Sequence, residues 1–311
     1  MTRYLALRLV RIVVLAFVLV SILFVIFRLV PGNPALLYGG LDVTPAGLKA
    51  IEHELGLDQP VWVQFVTYWA HLLHGNGGFS TTYSQNALQV VLAHLPPTLE
   101  LLGVSIGLAL VLGLPAGIIG GLRPGSVYDV GASGATVVLL SIPNFWLGLL
   151  LVGLFSVQWH LLPVAGDTGA AAVILPAAAL AARIAAVFAR MTRAAVLDVT
   201  HEHYVRTARA KGLASVRVVL HHVLPNALVT VMTVVGMEVG YLLGGSIVVE
   251  ILFAWPGLGS TLINAIDMRD YSLVQTITVV YVLGFLLVNL ITDLLYTVID
   301  PRIRLYGQVW T

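Results

Sequence analysis

The run Leu101-Leu102-Gly103-Val104-Ser105-Ile106-Gly107-Leu108-Ala109-Leu110-Val111-Leu112-Gly113-Leu114-Pro115-Ala116-Gly117-Ile118-Ile119-Gly120-Gly121-Leu122 contains no Asp, Glu, Lys or Arg. At about 1.5 Å rise per residue, a helix needs roughly 20 apolar residues to cross the hydrocarbon of a bilayer, so this run is long enough for one crossing. Val130 to Gly166 and Tyr271 to Thr292 are equally free of charge. The rest of the chain agrees with that reading. Of 311 residues, 59% are hydrophobic and 10% charged, against about 25% charged in an ordinary soluble domain. A soluble core of this size could not hide that much apolar surface, so the chain is read as membrane-embedded.

Apolar runs set against breakers predict six spans, at about residues 9–30, 98–121, 133–157, 172–194, 227–249 and 274–297. The first follows Arg3, Arg8 and Arg11, as the h-region of a signal peptide would. It is slightly too long for one, no small-residue cleavage site follows, and Arg28 with Pro31-Gly32-Asn33-Pro34 comes next, so it reads as an uncleaved span. Lys and Arg near span ends stay in the cytoplasm. They collect at the N-terminus, at Arg123, at Arg190, Arg193, Arg206, Arg209, Lys211 and Arg217, and at Arg302 and Arg304. Both termini are therefore assigned to the cytoplasm. The resulting division is a first span at 1–30, an extracytoplasmic loop subdomain at 31–95, and a five-span core at 96–311 with a cytoplasmic element at about 198–225.

In the long external loop, Gly56-Leu57-Asp58-Gln59-Pro60 precedes Val61, Trp62, Phe65, Tyr68, Trp69 and Leu72, apolar at a period near 3.6. This predicts an amphipathic helix lying against the membrane surface. Trp62 and Trp69 suit headgroup-level anchoring, and they also suit contact with a partner. Absence of cysteine excludes disulfides, thiolate zinc sites and cysteine nucleophiles.

The cytoplasmic element reads His201-Glu202-His203-Tyr204-Val205-Arg206-Thr207-Ala208-Arg209-Ala210-Lys211-Gly212-Leu213. It predicts a short helix stopped by Gly212, since glycine takes the left-handed conformation that closes a helix. Ser215 suits the N-cap of a second short helix ending before Pro225. Ala208 and Ala210 beside the glycine permit close approach of another surface, and the basic residues around them also suit anionic headgroups.

Tyr204 to Gly212 followed by Leu224-Pro225-Asn226-Ala227 resembles the EAA signature of binding-protein-dependent ABC importer permeases, with the motif glycine at Gly212. Leu29-Val30-Pro31-Gly32-Asn33-Pro34, Gly56-Leu57-Asp58-Gln59-Pro60, Phe253-Ala254-Trp255-Pro256-Gly257-Leu258-Gly259, Arg269-Asp270-Tyr271 and Asp300-Pro301-Arg302-Ile303-Arg304 are similar to the dipeptide and oligopeptide branch. Where the signature begins Glu-Ala-Ala, this chain has Arg206-Thr207-Ala208, and Glu202 lies earlier. The resemblance implies an all-α permease of the type I ABC importer kind, multi-pass in a bacterial inner membrane. It implies ATPase coupling through Glu202, Tyr204, Arg206, Ala208, Ala210, Lys211 and Gly212. Its implied partners are a second homologous permease, two ATPase domains or subunits, an extracytoplasmic substrate-binding protein and a peptide, with no nucleic acid. ATP and Mg²⁺ would be used by the partner ATPase, and this chain would bind no cofactor and catalyse nothing.

The residues agree on the last point. A phosphate-cradling loop needs Gly-Lys-Ser/Thr at its end, and the two lysines stand as Lys49-Ala50 and Lys211-Gly212. Arg183, Glu238 and Asp293 fall inside apolar stretches, where a central charge costs about 2.5–3.5 kcal/mol and usually faces a bundle interior or water-filled cavity. They are candidates for the translocation path, and Arg183 paired with Glu238 or Asp293 is the structural alternative. Gly236, Gly240, Gly244 and Gly245 suit close helix packing, within the chain or with a second permease. The histidine pairs His71/His74, His201/His203 and His221/His222 offer two ligands each where zinc needs three or four, so no metal site is expected. A permease for nickel chelates, glutathione or haem is the alternative on the same architecture. A secondary transporter would want internal repeats, and a membrane enzyme a catalytic constellation in the spans.

Overall fold

The computed structural model describes residues 2–29, 35, 43–54, 56–166 and 169–299, with side chains from residue 7 to 294. Residues Pro31 to Pro34 and the ending from Asp300 to Arg304, with Arg302 and Arg304, lie outside the described residues. The elements are α1 (Thr2–Leu29), α2 (Pro45–Glu54), α3 (Val61–Leu73), a hairpin of β1 (Phe79–Ser80) and β2 (Gln85–Asn86), α4 (Ala87–Leu122), α5 (Val127–Ser141), α6 (Asn144–Leu151), α7 (Ile174–Thr200), α8 (His203–Ala210), α9 (Ser215–Val218), α10 (Leu224–Leu252), α11 (Leu258–Asp267) and α12 (Tyr271–Ile299). Among the described residues, five helical runs are long and apolar enough to cross a membrane, and α5 with the α6 segment makes a sixth when counted together.

The third predicted span is not straight. α5 and α6 meet at 105° across Ile142 and Pro143. A residue before proline is pushed out of the helical region, and Ile142 sits at φ −90°, ψ 126°. Pro143 then precedes the first turn of α6, and the helix finishes in a π turn over Val152–Gln158. The second span differs in the other direction, starting at Ala87 and passing through Pro96 and Pro97. Tertiary bonds hold that extension: Ala87, Val90 and Val91 pack with Leu258, Ala265, Leu273 and Ile277, and Thr98 Oγ1 accepts from Leu258 N at 2.7 Å.

Two compact units alternate along the chain. One comprises residues 1–5, 99–255 and 287–311, the other 6–98 and 256–286. In the first, glycines on α4 bring it against α7. A β-carbon at Gly117 would stand 2.5 Å from Ala189 O and 2.6 Å from Thr192 Cβ, and one at Gly121 would stand 2.8 Å from Val196 Cβ. Gly113 repeats the approach at Ala185 and Phe188, a small-residue spacing of four that lets helices close in lipid. Around this crossing Leu101, Leu180, Ile184, Phe188, Leu242 and Phe253 form the main core.

In the second unit α3 packs on α1. Trp69 stacks on Phe17 at 5.0 Å, and Phe65 and Tyr68 meet Phe24 at 5.4 Å each. Phe17 and Phe24 both lie in the apolar run of α1, so the aromatic face of α3 has an intramolecular use. Trp62 points away and is exposed. Asp270 is buried and caps α12 through Leu273 N at 3.1 Å, and it also accepts from Ser80 Oγ at 2.6 Å and Thr82 N at 3.0 Å, which ties the hairpin to α12.

Candidate functional site: the coupling helix and the polar pairs

α8 forms where the sequence predicts it. Glu202 occupies the N-cap position in extended conformation, with no side-chain bond to the helix. Val205 and Ala208, three apart, are the buried stripe of α8. They join Ala195, Val196, Val218, Val223 and Ala227, with Ile118, Leu122 and Leu224 packed around them. Ends of α4, α7 and α10 thus seat the helix. Its other face carries Glu202, Tyr204, Arg206, Arg209, Ala210 and Lys211, all exposed. Of the residues expected to meet a partner, Ala208 therefore faces inward, and its small size serves packing within the chain.

Gly212 closes α8 at φ +74°. Its N–H donates to Arg209 O at 2.9 Å, and Leu213 N donates to Ala208 O at 3.4 Å, the pair of bonds of a Schellman cap. A β-carbon at Gly212 would meet nothing within 4 Å. The demand for glycine there is conformational, not steric.

The second short helix differs from expectation. Ser215 is the first helical residue of α9 rather than its cap, which is Ala214 without a side-chain bond. Nor does the helix end before Pro225. α9 passes through a π turn at Val219–Val223 into α10, giving one helical run from Ser215 to Leu252. Pro225 falls in the first turn of α10, and the widened turn before it accommodates the proline, which lacks an N–H. Asn226 Nδ2 donates to His222 O at 2.9 Å, supplying a side-chain donor there. The far side of the coupling element is therefore continuous with a span.

Within the helices, Arg183 Nη1 on α7 donates to Glu238 Oε2 on α10 at 2.8 Å. The Arg183 guanidinium also lies 4.2 Å from the centre of the Tyr241 ring, a cation–π contact. Arg183 keeps 28% of its side chain exposed and Tyr241 is exposed beside it. Asp293 is partly buried on α12. Gly236 packs against Thr292 of the same chain, while Gly244 has open space where a side chain would go. Gly244 belongs to an exposed stripe on α10 with Met237, Tyr241, Val248 and Ile251.

A second pair escaped the sequence reading. Arg193 on α7 holds Asp129 on α5 by two parallel bonds, Nε to Oδ1 at 2.5 Å and Nη2 to Oδ2 at 2.8 Å. Gly125 N donates to the same carboxylate at 2.9 Å, and Ser126 Oγ accepts from Asp129 N at 3.2 Å. Ser126-x-x-Asp129 is the capping pattern that announces a helix start; its carboxylate was the available signal. The partner arginine had none, because it stands 64 residues away.

Comparison with known proteins agrees with this layout. The family described as binding-protein-dependent transport system inner membrane component matches residues 113–305, and its N-terminal companion matches residues 1–101. Glutathione transport system permease protein GsiC of Escherichia coli (strain K12) is 39% identical over 98% of this chain and 99% of its own, and GsiC of Salmonella choleraesuis is likewise 39% identical over the same shares. Among solved structures, the inward-facing MetNI methionine ABC transporter is similar at TM-score 0.57 and 22% identity, over 68% of this chain and 97% of that one. Family membership implies ATPase and binding-protein partners and a subunit that does no catalysis of its own. The chain belongs to the binding-protein-dependent inner-membrane permeases of ABC importers, in the branch that serves peptides, nickel and glutathione.

Proposed function

We propose that this chain forms half of the translocation path of an importer of small peptides, up to tripeptide size such as glutathione, and receives its movement from a partner ATPase through α8. The observation that carries the reading is the seating of α8: one face packs on three spans, the other is exposed and basic, and α9 runs without a break into α10. A rigid element joined in this way transmits a displacement at its exposed face to the spans, which a flexible loop would absorb. Tyr204, Arg206, Ala210, Lys211 and Gly212 are the residues offered to the ATPase. Glu202 stands at the near end of the same face, and Ala208 supports it from within.

The path lies beside Arg183, Glu238 and Tyr241, with Asp293 as a further polar group at span depth. A peptide carries a carboxylate and an ammonium, and an ion pair made through a single bond can exchange with both. The stripe Met237, Gly244, Val248 and Ile251 takes the second permease, since open space at Gly244 suits a close helix approach in lipid. Glutathione is favoured among cargoes by the names of the similar permeases.

The test is substrate-stimulated ATP turnover of the complete complex in nanodiscs, with binding protein, using glutathione, a dipeptide and a pentapeptide. Stimulation by glutathione or the dipeptide, lost in Gly212→Val but with assembly retained, supports the reading. Equal stimulation with and without any peptide overturns it.

A further inference from the structure

The third span is broken inside the bilayer. α5 is 15 residues long, about 22 Å, against the roughly 20 residues that cross the hydrocarbon. Its cytoplasmic end is held by the Asp129–Arg193 fork, so Ser141 stops short of the outer surface, about 18 Å along the helix from Asp129. α6 then leaves at 105°. Measured from the same fork, Arg183 stands about 15 Å along α7, and both α5 and α6 pack on α7. The break and Arg183 therefore lie at a similar depth.

Helical bonding is interrupted at the break. Pro143 has no N–H to give Leu139 O. The first bond of α6 runs from Leu147 N to Pro143 O at 3.1 Å, and the N–H groups of Asn144, Phe145 and Trp146 meet no acceptor among the described residues. Nor does this chain cover the break. Ser141 and Pro143 are exposed, and Phe145 and Trp146 keep 47% and 45% of their surface. The Ser141 hydroxyl donates to Val137 O at 2.8 Å, which uses its proton and leaves its oxygen free to accept.

Irregular backbone at this depth does not face lipid, since hydrocarbon offers nothing to unpaired N–H and C=O groups; it is packed in protein or it lines water. The groups at the break select water. A span of a second permease spends its backbone groups within its own helix and brings few donors or acceptors, whereas water supplies both. A peptide also supplies both, in its amides and regardless of its side chains.

We propose that the α5–α6 break is a hydrated stretch of the wall of the translocation path, where Ser141 and the unpaired backbone groups around Pro143 meet the amides of the passing peptide. The peptide rests on the proposed function; the water rests on the break itself. Broken helices line substrate paths in other classes of transporter.

The chain has no cysteine, so a single introduced one reports on it directly. The complete complex in nanodiscs, carrying Ser141→Cys or Asn144→Cys, is treated with a charged, membrane-impermeant thiol reagent, and labelling of this chain is read by mass. Val13→Cys, on the exposed apolar face of α1, is the lipid reference. Both positions at the break should react roughly 50-fold faster than the reference, because hydrocarbon excludes a charged reagent. A thiol-free dipeptide with binding protein should slow them several-fold. Reaction with an uncharged, membrane-soluble maleimide alone puts the break in lipid and overturns the proposal. Labelling that appears only when the second permease is removed makes that subunit the cover and overturns it too, as does charged-reagent labelling that no stimulating peptide slows. ATP turnover of the unlabelled complex keeps the two readings apart. Peptide stimulation beside an unreactive break removes this assignment alone, and a reactive break without stimulation by any peptide removes the peptide as cargo while the hydrated wall stands.

Discussion

Arg183 and Arg193 lie on the same helix, ten residues and about 15 Å apart, and each meets a carboxylate from another helix. Arg193 grips Asp129 with two parallel bonds while a backbone N–H takes a further share of the carboxylate, which is 4% exposed. Arg183 reaches Glu238 through one bond and rests on an exposed tyrosine ring. Bidentate geometry adds strength and fixes orientation. A single bond with an aromatic platform holds the arginine near its place and leaves donors for something else. The same residue type thus closes one site and keeps the other available. The closed one ties the start of α5 to the helix that leads into α8; the available one lies among the spans.

The largest effect expected from breaking this contrast is at Asp129. Asp129→Ala leaves the Arg193 guanidinium without its fork and its charge without a partner, which destabilises more than losing the pair as a whole would. The thermal unfolding midpoint of the purified complex should fall, and Asp129→Ala combined with Arg193→Leu should recover part of the loss. An unchanged midpoint would erase the distinction between the two arginines.

Gly212→Val is next. A β-branched residue at φ +74° costs roughly 1–2 kcal/mol in backbone conformation, enough to unseat the C-terminus of α8 without unfolding the spans. Membrane insertion should be normal and substrate-stimulated ATP turnover lost, whereas Gly212→Asn should retain most turnover because asparagine tolerates the left-handed region. If Gly212→Val turns over normally, α8 is not the coupling element.

Arg183→Ala should lower the unfolding midpoint less than Asp129→Ala does, because its pair is held by one bond and not by a fork, while lowering peptide uptake. Loss of assembly instead would put Arg183 in the same class as Arg193 and move the path elsewhere.

The smallest effect is at His53 and Asp58, a third pair, held at 2.7 Å but exposed to water. Its hydrogen bond to Asp58 raises the His53 pKa above 6.5, and the same bond lowers that of Asp58 below 3.8. The contribution of the raised histidine is complete below about pH 6.5 and fades as pH rises through its folded value; that of the aspartate is present above about pH 3.8 and fades as pH falls through its lowered value. The pair therefore acts between the two. An NMR titration of the His53 ring should show a midpoint above 6.5 that returns to about 6.5 in Asp58→Asn.

Three prolines or proline pairs show how far local rules reach. Ile142-Pro143 bends its helix by 105°, Pro96-Pro97 lies inside α4, and Pro225 lies in the first turn of α10 beyond a π turn. Locally they carry the same message, a missing donor and a restricted preceding residue. Neighbouring bonds select among bend, continuous helix and π turn, such as the bond from the backbone of Leu258 to Thr98, 160 residues earlier. Likewise Gly212 announced the end of α8 from the sequence, because its conformational freedom belongs to the residue itself. Ser215 was misplaced by one position and the break after α9 proved to be a continuous helix, because both depend on packing against α7.

By itself the sequence determined that the chain crosses a membrane, that basic residues gather on one side, that a helix stops at Gly212, and that no nucleotide-binding loop is present. Each of these rests on the chemistry of contiguous residues: transfer of apolar surface, the cost of buried charge, and backbone conformational preference. Tertiary structure alone decided that Arg183 takes Glu238, that Arg193 takes Asp129, that Ala208 faces inward, and that Asp270 ties Ser80 into α12. Those outcomes join residues as far as 190 positions apart, and which charge or small residue meets which depends on how whole helices pack, a property that no stretch of contiguous residues contains.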